Sequence, residues 1–173
     1  MRIAVVGCSG AGKSTLARRL GVLLDIPVTH LDRLFWRPGW VAARDDEFRA
    51  AQETAVSAPA WVIDGNYRRS MDLRLPTADL VVFLDFPRWR CFTRVVSRIV
   101  RELGQDRQAE GCPERLDLEF LRWVWRWHRD HRPLTLEAIR RHGAPARQIL
   151  LSSPREVEWF LTSLRDQTGS PER

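Results

Sequence analysis

Nine consecutive residues near the amino terminus, Gly7-Cys8-Ser9-Gly10-Ala11-Gly12-Lys13-Ser14-Thr15, have the types and spacing of a phosphate cradle, G-x-x-x-x-G-K-[ST]. Gly10 and Gly12 let the backbone curl, so that successive N–H groups converge on phosphate oxygens. A helix opening at Ser14 adds its positive end. The Lys13 ammonium has the reach for the β- and γ-phosphates of ATP, and the Ser14 hydroxyl is suited to Mg²⁺. Ser9, Gly10, Ala11, Gly12, Lys13, Ser14 and Thr15 are therefore the candidate nucleotide-binding residues. Cys8 lies inside the same loop. Its surroundings fit either a thiol activated by backbone amides or an inert filler.

Lys13 is the single lysine of the chain; the other 27 basic residues are arginines. A compact ammonium is kept where a planar guanidinium cannot substitute. The net charge of +6 is unevenly placed, because residues 86–147 hold 14 arginines against 8 acids and the remainder is balanced. Such a bias suits a polyanion, either nucleotide phosphates or nucleic acid. Two classes of nucleotide-binding protein are excluded. A GTPase reads guanine through Asn-Lys-x-Asp, which needs a second lysine. A motor ATPase follows its second-motif aspartate with a glutamate that polarises water, whereas Trp61-Val62-Ile63-Asp64 is followed by Gly65. What remains suits transfer to an acceptor.

These residues need a scaffold. The chain has 173 residues, one domain's length, with 44% hydrophobic and 29% charged residues, the composition of an ordinary globular protein. No apolar run approaches the ~18 residues of a membrane span. The three cysteines, Cys8, Cys91 and Cys112, are odd in number and far apart, so a reduced, cytoplasmic setting with no membrane partner is expected. Arg2–Gly7, Trp61–Asp64 and Leu80–Asp85 read as buried strands, and Pro27–His30 and Gln148–Leu151 as further strands. Ser14–Leu24, Asp45–Ser57 (capped by Asp45), Arg88–Leu103, Leu116–Arg129, Leu134–His142 and Arg155–Arg165 read as helices. Gly104–Pro113 reads as a polar loop. In Arg88–Leu103, Phe92, Val96, Ile99 and Leu103 share one face while Arg90, Arg94, Arg98 and Arg101 share another. The alternation predicts an α/β fold with a parallel sheet covered on both faces. Ligands bind such sheets beyond the carboxyl ends of the strands, where Gly7, Asp32, Asp64, Asp85 and Ser152 fall.

Several segments together resemble one family. These are the cradle, or Walker A motif; His30-Leu31-Asp32 with Phe35-Trp36-Arg37-Pro38-Gly39-Trp40; and Asp64-Gly65-Asn66-Tyr67-Arg68. Leu84-Asp85-Phe86-Pro87-Arg88-Trp89 and Glu110-Gly111-Cys112-Pro113-Glu114 complete the set. They are similar to the adenylate-kinase-related DNA topology modulation proteins over residues 1–165. The resemblance implies a P-loop NTPase fold of the nucleoside-monophosphate-kinase type. That fold is a three-layer sandwich around a five-stranded parallel sheet of order 2-3-1-4-5, with a helical lid at about 88–147 and a flexible tail at 166–173. In that order Asp64 stands beside the cradle strand as the Mg²⁺ partner, with Asp85 in reserve. Asp32 faces the acceptor and can orient or deprotonate a hydroxyl. Gly65, Asn66, Tyr67 and Arg68 line the acceptor site, and Ser153 and Pro154 lie where related kinases touch adenine. Asn66-Tyr67 stand where adenylate kinases carry Phe-Pro, which leaves the acceptor open.

The gap of 62 residues between Asp85 and Gln148 far exceeds a simple crossover. Arg94 and Arg98 are its candidate catalytic arginines, since an arginine on a transferring phosphoryl group contributes ~10³–10⁵ in rate. The expected activity is transfer of the γ-phosphoryl group of ATP·Mg²⁺ to a small nucleotide-like or other acceptor. Two rivals are a small-metabolite kinase outside nucleotide metabolism and an ATP-gated nucleic-acid-binding protein acting through the basic stretch. Trp123, Trp125 and Trp127 are two apart and point to different sides, favouring packing over base stacking. Cys112, His128 and His131 are a weak zinc set.

Overall fold

The structure, a computed structural model, describes residues 1–106 and 109–169. Its centre is β1 (Arg2–Gly7), whose apolar run is buried on both faces as in sheets covered by helices on each side. β1 pairs in parallel with β5 (Trp61–Asp64) on one side and β6 (Leu80–Leu84) on the other. β2 (Val28–His30) lies outside β5, and β7 (Arg147–Leu151) outside β6. The order is β2-β5-β1-β6-β7. Counting only strands of this sheet, that is second, third, first, fourth, fifth, as expected.

α1 (Lys13–Leu24) follows β1 and buries Leu16, Ala17 and Leu20. Beyond β2 the chain forms a short helix, α2 (Leu31–Phe35), and a separate two-stranded ribbon, β3 (Trp36–Arg37) with β4 (Val41–Ala42). The sequence reading missed this ribbon because its strands are two residues long. α3 (Asp45–Val56) begins one residue after its cap, Arg44, which makes no side-chain capping bond. Asp45 is thus not the cap but the first of three acids in the first turn, where the helix dipole favours negative charge. A 3₁₀ turn (Arg68–Ser70) and α4 (Met71–Arg74) connect β5 to β6.

α5 (Arg88–Glu102), α6 (Leu118–Asp130) and α7 (Arg132–His142) fill the long gap before β7. Asp117 caps α6 by accepting from the Phe120 N–H at 2.9 Å. The buried stripe of α5 is Cys91, Val95 and Ile99, whereas Leu103 is 62% exposed, so the apolar face is turned by about one residue from the expected one. Cys91, Val95, Val124, Trp127 and Ile139 join the main core. Those three helices are therefore packed on the sheet domain, and α5, α6 and residues 114–117 all reach toward the site. α8 (Pro154–Gly169) carries helix four residues past the expected end; the remaining tail residues, 170–173, lie outside the described residues. No helix among the described residues is long and apolar enough to cross a membrane.

Candidate active site

The hollow at the mouth of α1 comes from backbone geometry. Gly10 and Gly12 have φ of +79° and +96°, values that favour glycine. A Cβ on Gly10 would collide with the Cys91 carbonyl of α5, so the loop is pressed against that helix as well as curled. Lys13 Nζ donates to the Cys8 carbonyl at 3.0 Å and folds back across the hollow. Arg94 approaches from α5, its Nη1 donating to the Ala11 carbonyl at 3.5 Å.

Asp64 ends β5 beside the cradle and is 3% exposed. Its Oδ2 accepts from the Ser14 hydroxyl at 2.7 Å, and its Oδ1 accepts from His30 Nδ1. A hydroxyl and a carboxylate side by side at a phosphate cradle form an all-oxygen donor set of the kind Mg²⁺ takes. Ser14 and Asp64 therefore fit that ion, with His30 fixing the carboxylate from behind. Asp85 does not stand in reserve. Arg132 grips it through Nε at 2.8 Å and Nη2 at 2.6 Å, which also raises the Arg132 pKa and braces α7 against the end of β6.

On the far side of Lys13, the Tyr67 hydroxyl donates to Asp32 Oδ1 at 2.7 Å. Burial, followed by the Asp32 charge, pushes the Tyr67 pKa up. Gly65 is required by a close approach, since a Cβ there would lie 2.7 Å from Leu31 Cβ. Asn66 Nδ2 donates to Thr135 Oγ1 at 3.3 Å. The loop is held from inside by Arg74, a fully buried guanidinium. Its Nη2 donates to the Gly65 and Asn66 carbonyls at 3.1 and 2.8 Å, and its Nη1 to the Ser70 carbonyl at 3.0 Å and Gln52 Oε1 at 3.2 Å. Desolvation lowers its pKa to about 10.

Two cavities result. One, of about 740 Å³, runs along the cradle from Ser9 to Thr15 and is bounded by Arg94, Arg98, Arg101 and Pro154. The second, of about 710 Å³, lies beyond Asp32 between Asn66, Tyr67, Arg68 and a set of aromatic rings. Ser9, Lys13 and Asp32 line both, so the cavities meet at the Lys13 ammonium and the Asp32 carboxylate. Trp40 of the ribbon donates its indole N–H to the Pro113 carbonyl at 2.9 Å, and the Gly39 N–H donates to the Gly111 carbonyl at 2.7 Å. The ribbon and residues 109–117 thus cover the second cavity together.

The other expected residues are distributed unevenly. Arg98 lines the first cavity while donating to the buried Glu114 at 3.1 Å. Arg90 faces the Phe86 ring and does not line that cavity, and Arg101 Nε donates to the Ser97 carbonyl. Ser153 is drawn to Glu156 at 3.0 Å, and only its neighbour Pro154 lines the cavity. Cys8 is 1% exposed; contact with Cys91 and burial raise its pKa, so the activated-thiol reading fails. The zinc set is dispersed. Cys112 donates to the Arg37 carbonyl, His128 faces Asp85, and His131 packs on Trp123. Trp127 is buried against Phe83 and Trp125 packs against Phe92, while Trp123 lines the second cavity.

His30, Trp36, Trp40, Phe120, Trp123 and Arg74 were not singled out as site residues from the sequence. The cluster of aromatic residues around Pro38-Gly39 was a usable signal for Trp36 and Trp40. Arg74 offered none, being one arginine among 27.

No protein-family model matches the sequence, and no curated protein does so at a significant level. Solved structures do match. Shikimate kinase from Bacteroides thetaiotaomicron superposes with a TM-score of 0.57 at 19% identity, covering 98% of this chain and 99% of that one. The chain has the P-loop kinase fold. Shikimate kinase from Acinetobacter baumannii, in complex with shikimate, gives 0.55 at 19% identity over 96% of this chain and 92% of that chain. Deoxyadenosine kinase from M. mycoides gives 0.53 at 12% identity, over 96% of this chain and 100% of that chain. At these identities the likeness is one of fold.

Proposed function

We propose that the chain is a kinase that transfers the γ-phosphoryl group of ATP to a hydroxyl of a small acceptor. The observation that carries this reading is the meeting of two cavities at Lys13 and Asp32. The first would hold the triphosphate through the cradle amides from Ser9 to Thr15, with Ser14 and Asp64 for Mg²⁺. Bound there, the ion would neutralise charge on the β- and γ-oxygens. Lys13 holds the phosphoryl group in place, and Arg94, already at the loop, adds positive charge where negative charge spreads in transfer. Asp32 orients the acceptor hydroxyl and takes its proton. Shikimate kinase and deoxyadenosine kinase, which share the fold, support small-molecule acceptors as a class.

The excess of arginine in 86–147 also fits a kinase better than a nucleic-acid surface. Arg98, Arg126, Arg129 and Arg132 are engaged by carboxylates, and Arg88 lies over the Trp125 ring. Part of that charge is thus held by neighbours within the protein. A phosphotransfer screen with ATP·Mg²⁺ against nucleosides, nucleoside monophosphates and hydroxy acids tests the reading, with Lys13→Ala as the control. Transfer lost in the control is expected; transfer surviving in it places the chemistry elsewhere.

A further inference from the structure

We infer that the acceptor is a nucleoside, an uncharged sugar hydroxyl carried on a flat base; the inference rests on the kinase reading above. Charge is the first ground. The cavity along the cradle is lined by seven cationic side chains and three carboxylates. The acceptor cavity is lined by three cations and four carboxylates. One of its cations is Lys13, and another, Arg115, already faces the Trp40 ring and lies 3.8 Å from Asp117. A dianionic phosphate or a small acid would face the carboxylates of Asp32 and Glu119 as well as the Lys13 and Arg68 cations, while Glu114 is held by Arg98 and Asp117 lies by Arg115. A neutral ligand meets no such opposition.

Shape is the second ground, and it is independent of charge. Trp36 and Trp40 come from the ribbon; Phe120 and Trp123 come from α6, and His131 from its end. Phe120 and Trp123 are stacked, 15° apart with ring centroids at 6.0 Å, and together line one wall of the cavity. Trp40 is pinned by its indole hydrogen bond to Pro113. Fixed rings on two sides of a cavity suit a planar heteroaromatic ring, and stacking on such rings tolerates any base. A compact aliphatic hydroxy acid uses none of that wall.

The reacting end completes the fit. Tyr67 occupies Asp32 Oδ1, and Asp32 Oδ2 has no hydrogen-bond partner among the described residues, so it is available to a sugar hydroxyl. Transfer breaks the bond from the γ-phosphorus to the β–γ bridging oxygen and forms one from that phosphorus to the sugar oxygen. The hydroxyl proton passes to Asp32, and ADP leaves with the bridging oxygen. The product is a nucleoside monophosphate.

The test pairs equilibrium binding with transfer of labelled phosphate. Adenosine, cytidine, thymidine, their 5′-monophosphates and shikimate are titrated by tryptophan fluorescence and calorimetry, with a non-hydrolysable ATP analogue and Mg²⁺ present. The same compounds are then offered as acceptors with γ-labelled ATP. At least one nucleoside should bind about tenfold more tightly than its monophosphate and receive label. Trp123→Ala should weaken that binding about tenfold, the worth of one stacking contact, while Trp123→Phe retains most of it. A monophosphate or shikimate binding and reacting in preference overturns the inference, as does absence of nucleoside binding at millimolar concentration. These failures are separable: failure of the ATP analogue itself to bind sinks the kinase reading, whereas its binding without a nucleoside sinks only the acceptor class.

Discussion

The cavity at the mouth of α1 and the cavity beyond Asp32 share Lys13 and are similar in volume, about 740 and 710 Å³. Their walls are made differently. The first is built around a main-chain cradle, curled by Gly10 and Gly12 and backed by the N-terminal end of a helix, with guanidinium groups around it. The second is mostly side chain, assembled from β3 and its turn, the Asn66–Arg68 loop, residues 114–117, α6 and the start of α7. A main-chain cradle recognises phosphate in any nucleotide and tolerates little change. A wall of side chains selects a particular partner and can be rebuilt one residue at a time. The contrast therefore separates a fixed donor site from an adjustable acceptor site.

The harshest test of that contrast is Lys13→Ala, because this ammonium belongs to both cavities. Transfer should fall at least ~10³-fold, as expected when a preorganised positive group is removed from a developing charge. Calorimetric ATP affinity should fall with it. Asp32→Asn comes next. It should lower the turnover rate ~10²–10⁴-fold, the range of a lost general base, yet not weaken binding of an ATP analogue, since a carboxylate at the edge of the cradle cavity offers phosphate no attraction. Equal losses in both quantities would show that Asp32 serves the donor cavity and that the division is misplaced.

The same contrast explains what could be read without coordinates. The cradle is contiguous, so its residues and chemistry were visible in nine letters, and the β-branched strands fixed the sheet around it. Asp64 and Asp32 were visible because one ends, and the other closely follows, a strand that stops at the ligand edge. The aromatic wall was not, since Trp36, Trp40, Phe120 and Trp123 meet only through tertiary packing. Periodicity also misled slightly in α5, where four arginines on one side made Phe92, Val96 and Leu103 look like the buried stripe. The helix instead buries Cys91, Val95 and Ile99, because its close approach to Gly10 fixes which side faces in. Asp85 was indistinguishable from a metal ligand by position, and only the Arg132 pairing decides its role.

A smaller effect should follow from Arg74, which touches neither cavity but ties the Gly65 and Asn66 carbonyls in place. Arg74→Met leaves buried carbonyls unpaired and should cost on the order of 3 kcal/mol of stability in urea titrations. In the folded fraction, acceptor KM should rise about tenfold through a misplaced loop, while ATP-analogue affinity holds. Lysine should restore this poorly, because one ammonium cannot reproduce the two-pronged geometry of the guanidinium. If ATP affinity falls as much as acceptor KM rises, the two cavities are mechanically one.

The finest probe is Tyr67, the single tyrosine of the chain, whose phenolate absorbance can be followed without interference from another. Its pKa in the folded state is raised by burial first and by the Asp32 charge second, while an unfolded phenol titrates near ~10. Above that pH the folded chain binds more protons than the unfolded one, so stability falls as pH rises; below it this contribution is constant. No phenolate signal should therefore precede alkaline unfolding. Arg74 contributes with the opposite sign, since burial lowers its pKa. Comparing wild type with Tyr67→Phe isolates the tyrosine part: the variant should lose stability less steeply on the alkaline side. Asp32→Asn should let phenolate appear at lower pH without bringing it to the unfolded value, because burial remains when the charge is gone. Phenolate appearing near the unfolded value in the native wild type would mean that the Tyr67–Asp32 contact is open to water.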